Sequence, residues 1–293
     1  MNESIKILRA EHLGMCFGVR DAISLATRQA EAGPVTILGE LVHNERVLSH
    51  LRERGVQFAT DLNQVATPTL LITAHGASEV RINAARATGR TVLEATCPLV
   101  QVAHAALKKL VLEGFHPVII GQRQHIEVRG MTEDLEVCDV VLTEAEVDHL
   151  GEYPRLGIVS QTTQPIEKVR HLVARIRSRF PQSEIRFRDT VCQPTKLRQQ
   201  AAETLASECS VVIVIGGLHS NNTRELVTTC RKHCPRVHHI QAVADLQPSW
   251  FELGETLGLT AGTSTTDEAI NEVENALRAI ARQKSAANQF AIY

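Results

Sequence analysis

Cys16, Cys97 and Cys192 are the residues best placed to do chemistry. Each follows a short aliphatic run in a turn-like setting: Gly14-Met15-Cys16-Phe17-Gly18, Ala95-Thr96-Cys97-Pro98 and Val191-Cys192-Gln193-Pro194. A free cysteine is most often an inert part of the core. Cys138 and Cys209, which precede apolar strands, fit that role. So do Cys230 and Cys234, whose spacing puts both on one face of an expected helix. The turn contexts reverse the odds for the other three, which recur at intervals close to one βαβα unit. Three thiolates, soft and negative, suit an iron–sulfur cluster. A cubane of four irons on three protein thiolates leaves one iron open, able to act as a Lewis acid toward a substrate oxygen. Zinc on three thiolates is the competing chemistry. The long separations disfavour a structural zinc module, whose ligands come in close pairs.

Imidazoles and hydroxyls gather at the same kind of position. His43, His75 and His125 each follow an aliphatic run, whereas most of the thirteen histidines do not. Ser220-Asn221-Asn222-Thr223 lies where a strand passes into a helix expected over 224–231. That setting binds phosphate through free N–H groups and the helix dipole, or is a plain N-cap, with equal weight on each. Glu127, two residues from His125 in a Gly121–Gly130 loop, is a candidate proton donor. Thr162, in Ser160-Gln161-Thr162-Thr163, either extends a hydroxyl relay or caps the helix after Pro165. Thr263 and Ser264 close another run. No GxGxxG with its acidic partner, no GxxxxGK[ST] and no HExxH pair occurs, so NAD, ATP and a His-ligated zinc are not indicated.

These groups need elements to carry them. Aliphatic runs at 5–8, 35–38, 70–73, 92–95, 118–120, 140–142, 157–159, 185–187, 211–215, 237–240 and 257–259 are strand-sized. Helical spacing fills 21–31, 102–112, 165–180 and 266–282. Such alternation predicts an α/β fold of parallel βα units, whose sheets bind ligands at the carboxyl ends of their strands. A hydrophobic content of 43% supports a packed core. Net charge is −2, so no general basic surface for nucleic acid or anionic lipid is expected. No run reaches the roughly 18–20 apolar residues of a membrane helix, and no apolar export segment opens the sequence. The expectation is a cytoplasmic protein with reduced thiols.

Nine motifs occur in order along the chain: Gly-Met-Cys-Phe-Gly-Val at 14–19, Val-His-Asn at 42–44, Ala-His-Gly at 74–76, Ala-Thr-Cys-Pro-Leu-Val at 95–100, His-Ile-Glu-Val at 125–128, Gln-Thr-Thr at 161–163, Asp-Thr-Val-Cys at 189–192, Ser-Asn-Asn at 220–222 and Thr-Ala-Gly-Thr-Ser at 260–264. Together they resemble the 4-hydroxy-3-methylbut-2-enyl diphosphate reductase family of the non-mevalonate isoprenoid pathway. The resemblance implies three similar α/β domains in pseudo-threefold array around a central 4Fe–4S cluster. The segments would be 14–97, 98–191 and 192–293, with strand 1–13 packing on the third. It implies Cys16, Cys97 and Cys192 as cluster ligands, with oxygen able to strip the open iron to a 3Fe–4S form. His43, His75, His125, Ser220, Asn221, Asn222 and Ser264 would hold the substrate's diphosphate. Glu127, with His125 and Thr162, would serve proton delivery, and electrons would come from ferredoxin or flavodoxin. The sequence departs from the family at Ile126, where proline is usual, and at His219, Asn221 and Arg129. Two alternatives stand beside this reading: a paralogous iron–sulfur reductase or dehydratase with a related substrate, and a non-catalytic iron–sulfur sensor. The strand-end His, Ser and Glu residues weigh against the sensor, which needs no polyanion pocket.

Overall fold

The computed structural model describes residues 4–291, with side chains to 288. They form three four-stranded, wholly parallel sheets. One sheet runs β3 (Gln57–Ala59), β2 (Val35–Leu38), β4 (Thr69–Ile72), β5 (Thr91–Glu94), and the next runs β7 (Asp139–Val141), β6 (His116–Ile120), β8 (Arg155–Ser160), β9 (Glu184–Phe187). Both belong to a compact unit of residues 17–192. The third sheet runs β11 (Val237–Ile240), β10 (Val211–Ile215), β12 (Thr256–Ala261), β1 (Lys6–Arg9) and belongs to a unit of residues 1–16 and 193–293. All three share one order: second strand, first, third, fourth. In the last sheet the fourth position is taken by the chain's first strand, with Lys6 opposite Thr256 and Arg9 opposite Leu259.

Helices follow the strands: α1 (Phe17–Ala32), α2 (Glu45–Glu53), α3 (Glu79–Ala87), α4 (Pro98–Leu112), α5 (Ile126–Thr132), α6 (Glu144–Asp148), α7 (Ile166–Arg179), α8 (Gln193–Glu208), α9 (Asn221–Arg231) and α10 (Asp267–Ala291). No described helix is long and apolar enough to cross a membrane. The inner strands read as unbroken aliphatic runs because both their faces are buried. On β6, Val118 and Ile120 join a core with Val169, Val173 and Ile176 of α7, while Ile119 faces Ala103, Leu107 and Leu110 of α4. On β10, Val212 and Val214 meet α8 and α9, while Val211, Ile213 and Ile215 meet Ile270, Val273 and Leu277 of α10. Gly157 of β8 lets α4 close down, since a Cβ there would sit 2.8 Å from the Phe115 Cβ and 3.0 Å from the Leu110 Cβ.

The eleven aliphatic runs all match strands within a residue or two. Strand β3 has no such run: Gln57-Phe58-Ala59 is a three-residue edge strand. The expected Gly121–Gly130 loop is corrected from Ile126 onward, where α5 begins and places Glu127 in its first turn. Seven residues with a glycine inside give too little periodicity to read. Helix α8 was invisible for another reason, as its buried face holds Thr195, Arg198, Gln199 and small alanines rather than an aliphatic stripe. Ile213→Ala, at the centre of the third sheet, will cost about 2–5 kcal/mol of stability. A urea-unfolding midpoint followed by circular dichroism measures that loss.

Candidate functional site

Parallel pairing brings each sheet's fourth strand alongside its third, and the two end at the same edge. The three turn cysteines all follow a fourth strand. Each donates its backbone N–H to the loop after the adjacent third strand: Cys97 to Ala74 O at 3.0 Å, Cys192 to Thr162 O at 3.0 Å, and Cys16 to Thr263 O at 3.1 Å. One backbone bond is therefore repeated three times, once per sheet. Cys16 belongs to one compact unit, Cys97 and Cys192 to the other. All three are half-buried and unbridged. Cys97 occupies the N-cap position of α4 without a capping bond from its Sγ, where the helix terminus favours negative charge. A Cβ on Gly18 would lie 2.4 Å from the Cys97 Sγ, so only glycine at 18 leaves that sulfur its space.

The remaining thiols differ. Cys209, Cys230 and Cys234 lie in the core of the third sheet. Burial pushes the Cys230 thiol up to about 12 and the Cys209 thiol to about 11, so both stay protonated. Cys234 falls beyond the end of α9 rather than on its face. A hydrogen bond from its N–H to Cys230 O, 2.9 Å, carries the turn onward.

In the 17–192 unit the loops after β2, β4 and β6 bring His43, His75 and His125 together. The His43 and His75 rings stack at 4.3 Å, and His125 stands edge-on to both at 5.5 and 5.6 Å. One nitrogen of each ring lies within 4.8 Å of the other two, a geometry that suits a metal ion or the oxygens of an anion. Hydrogen bonds separate these options. His125 caps α5, its Nδ1 accepting the Glu127 N–H at 3.2 Å. The neutral ring then carries its proton on Nε2, a donor rather than a lone pair. His43 gives Nδ1 to the Glu40 carboxylate at 2.8 Å. Burial holds His75 well below the ordinary imidazole range, with the neighbouring His43 and His125 pushing the same way; the Glu40 carbonyl opposes them. Its Nδ1 is buried and makes no hydrogen bond. A multiply negative ligand would relieve this repulsion and use these donors.

Glu127 is 1% exposed. Its Oε1 accepts the Thr162 N–H at 2.6 Å and its Oε2 the Thr162 hydroxyl at 2.9 Å. Those bonds favour the carboxylate, but desolvation outweighs them and lifts the group to about 7. The structure thus joins His125, Glu127 and Thr162 in one chain, which continues through Thr162 O to the Cys192 N–H.

In the other unit, Ser220 caps α9 by accepting the Thr223 N–H at 3.4 Å, and Asn221 and Asn222 are buried in the first helical turn. Thr263 donates its N–H to Asn222 Oδ1 at 3.0 Å, which fixes the amide. The Asn222 Nδ2 is left buried without a partner. An unsatisfied buried donor costs about 1–3 kcal/mol, an expense that an anionic ligand would offset. Glycines seat this helix terminus: a Cβ on Gly216 or Gly262 would come within 2.5 or 2.1 Å of the Thr223 Oγ1. Ser264 is buried in the loop beside Thr263. Sequence reasoning missed Glu40, Gly18 and Thr263 as supports. Only the i, i+3 spacing of Glu40 and His43 hinted at any of them.

Fold and site define a parallel α/β enzyme that presents oxyanion donors and a protonatable carboxyl at its strand ends. Comparison with known proteins narrows that class. The profile of the LytB protein family matches residues 7–278. The 4-hydroxy-3-methylbut-2-enyl diphosphate reductase of Geobacter sp. (strain M21) is 35% identical over 96% of this chain and 99% of its own length. That of Aquifex aeolicus (strain VF5) is 35% identical over 94% and 97%. Among solved structures, the E-1-hydroxy-2-methyl-but-2-enyl-4-diphosphate reductase of Plasmodium falciparum superposes with a TM-score of 0.88 at 26% identity, covering 94% of this chain and 88% of that one. A structure of (E)-4-hydroxy-3-methyl-but-2-enyl diphosphate reductase, the terminal enzyme of the non-mevalonate pathway, gives 0.66 at 34% identity, covering 94% and 99%. The chain belongs to the LytB protein family and is an oxidoreductase.

The raised Glu127 has a consequence for stability. An unfolded glutamate loses its proton near 4.5, whereas the folded one keeps it to about 7. Between those values the folded state binds the extra proton, so stability falls as pH rises and levels off above about 7, a loss of about 3 kcal/mol. Glu127→Gln removes this term. The variant will gain on the parent chain as pH rises from about 5 to about 8, by up to about that amount. Unfolding midpoints of the two chains across that range measure the gap.

Proposed function

We propose that this chain reduces (E)-4-hydroxy-3-methylbut-2-enyl diphosphate to isopentenyl and dimethylallyl diphosphate. Two electrons and two protons remove the allylic hydroxyl as water. The observation that carries this reading is Glu127, buried yet protonatable near neutral pH, beside a hydroxyl and two residues from a convergent histidine trio.

On this reading the three sheets are three domains over 14–97, 98–191 and 192–293, with residues 1–13 completing the third. Cys16, Cys97 and Cys192 would hold a 4Fe–4S cluster. The donor set fits: three unbridged, half-buried thiols, each anchored by the same backbone bond, with Gly18, two residues past Cys16, keeping space open at the Cys97 sulfur. When bound, the cluster supplies electron transfer and a Lewis-acidic iron for the substrate oxygen.

The chain's own residues do the rest. His43, His75 and His125 bind the diphosphate with Asn222 Nδ2, the α9 N-terminus and Ser264. Burial disfavours the charged form of His75, and an incoming anion would offset that penalty. The hydroxyl of Thr162 orients the substrate hydroxyl, and the protonated Glu127 supplies the proton that leaves with it as water. The low-polarity surroundings that raise Glu127 also exclude bulk water. Electrons come from a separate ferredoxin or flavodoxin.

Anaerobic assay with the allylic diphosphate and a reduced viologen tests this function. Brown protein with about four irons per chain and turnover to both products is expected; iron-free protein without turnover after reconstitution would reject it. Glu127→Gln will keep the iron and lower kcat by about 10²–10⁴, whereas Cys97→Ser will lose iron. Asn222→Ala will weaken the binding of inorganic pyrophosphate about tenfold or more, as one charge-assisted bond is lost. Calorimetric titration reads that change.

A further inference from the structure

Arg198 is absent from the chemistry above, yet it is 8% exposed on α8. Its Nε donates to Gly14 O at 2.9 Å and its Nη1 to Pro194 O at 3.0 Å. Gly14 lies two residues before Cys16, and Pro194 two residues after Cys192. The planar guanidinium fork therefore links the segment leading into one cysteine to the helical turn leaving another. Gly14 is itself constrained. It has φ +73°, a Cβ on it would sit 2.6 Å from the Ile270 Cδ1, and its N–H donates to Ala261 O at 3.1 Å. With the Cys16 N–H on Thr263 O, the Cys16 loop is held at three backbone points, of which only the Gly14 carbonyl depends on a side chain.

We propose that Arg198 is a positioning residue for the metal centre, fastening the Cys16 loop to the start of α8 so that the Cys16 thiol keeps the orientation the cluster needs. The proposal rests on the reading of Cys16 as a cluster ligand. The role demands arginine rather than any cation. Two donors on different nitrogens of a rigid plane reach two carbonyls at once, and a lysine ammonium on a flexible stem does not hold that geometry. It is an outer-shell role of the kind that orients metal ligands without touching the metal.

The test uses Arg198→Gln and Arg198→Lys in the full chain, with two readouts. In the cluster-loaded protein, iron release to a chelator is followed without oxygen. In cluster-free protein, alkylation of Cys16 relative to Cys97 is followed by peptide mass mapping. Arg198→Gln should release iron about tenfold faster and raise the Cys16-to-Cys97 alkylation ratio severalfold, and Arg198→Lys should fall between it and the parent. A ratio and a release rate within about twofold of the parent overturn the proposal. So does equal acceleration of both thiols, the signature of general destabilisation. If Arg198→Gln does not fold, the same two readouts on Arg198→Lys decide. If the parent chain takes up no iron, the cluster reading fails on its own, while the alkylation ratio still judges the clamp.

Discussion

Parallel pairing between the third and fourth strands of each sheet is the constraint on which the site depends. Such pairing makes neighbouring strands end at one edge, so the loop after one strand lies beside the loop after the next. The cysteine N–H groups of Cys16, Cys97 and Cys192 use that proximity identically, each bonding to the carbonyl of a loop bearing polar groups. Cys97 is tied to Ala74, next to His75; Cys192 to Thr162 itself; Cys16 to Thr263, next to Ser264. Thiol and polar side chain are thus coupled through backbone. The first strand of each sheet adds a second recurrent device, a helix N-cap at the following turn: Asn44 for α2, His125 for α5 and Ser220 for α9.

Electrostatics in the site run in one direction. Desolvation moves Glu127 up and His75 down, so a potential anion and a potential cation are both held closer to neutrality. In the other unit, Asn222 separately keeps a buried amide donor with no partner. Each of these groups carries a cost of burial. Negative charge near His75 would oppose the effects that hold it down, and an acceptor at Asn222 would occupy the orphan N–H. Lysines and arginines would bind an anion as well, but they stay charged through the range in which an imidazole ordinarily titrates.

Much of this was legible in the sequence because the inner strands are buried on both faces. A run such as Val211–Ile215 has no other economical explanation, and the chemistry-bearing residues fall just past such runs. The His trio, Glu127 and Thr162 were therefore singled out by position, and the structure brings them together. What stayed hidden was mostly short or lacked an aliphatic signal: the edge strand at Gln57–Ala59, the helices α2, α3 and α6 of nine residues or fewer, the seven-residue helix under Glu127, and α8, whose buried face is largely polar. The supports Glu40, Gly18 and Thr263 act by a single hydrogen bond or by the absence of a side chain. Apart from the i, i+3 spacing of Glu40 and His43, nothing in their spacing announces a partner. The helical-face reading of Cys230 and Cys234 reached the core for the wrong reason, since the helix ends between them.

The closure of the third sheet by β1, with Lys6 opposite Thr256, sets an order of events. A ribosome releases β1 and Cys16 long before it makes β12 and Thr263, so that strand waits unpaired through nearly the whole of translation. Pairings so distant along a chain are slow to form. The earliest of the three thiols to be translated is consequently the last to acquire its surroundings. Whatever Cys16 binds can therefore find its full set of neighbours only after synthesis is nearly complete.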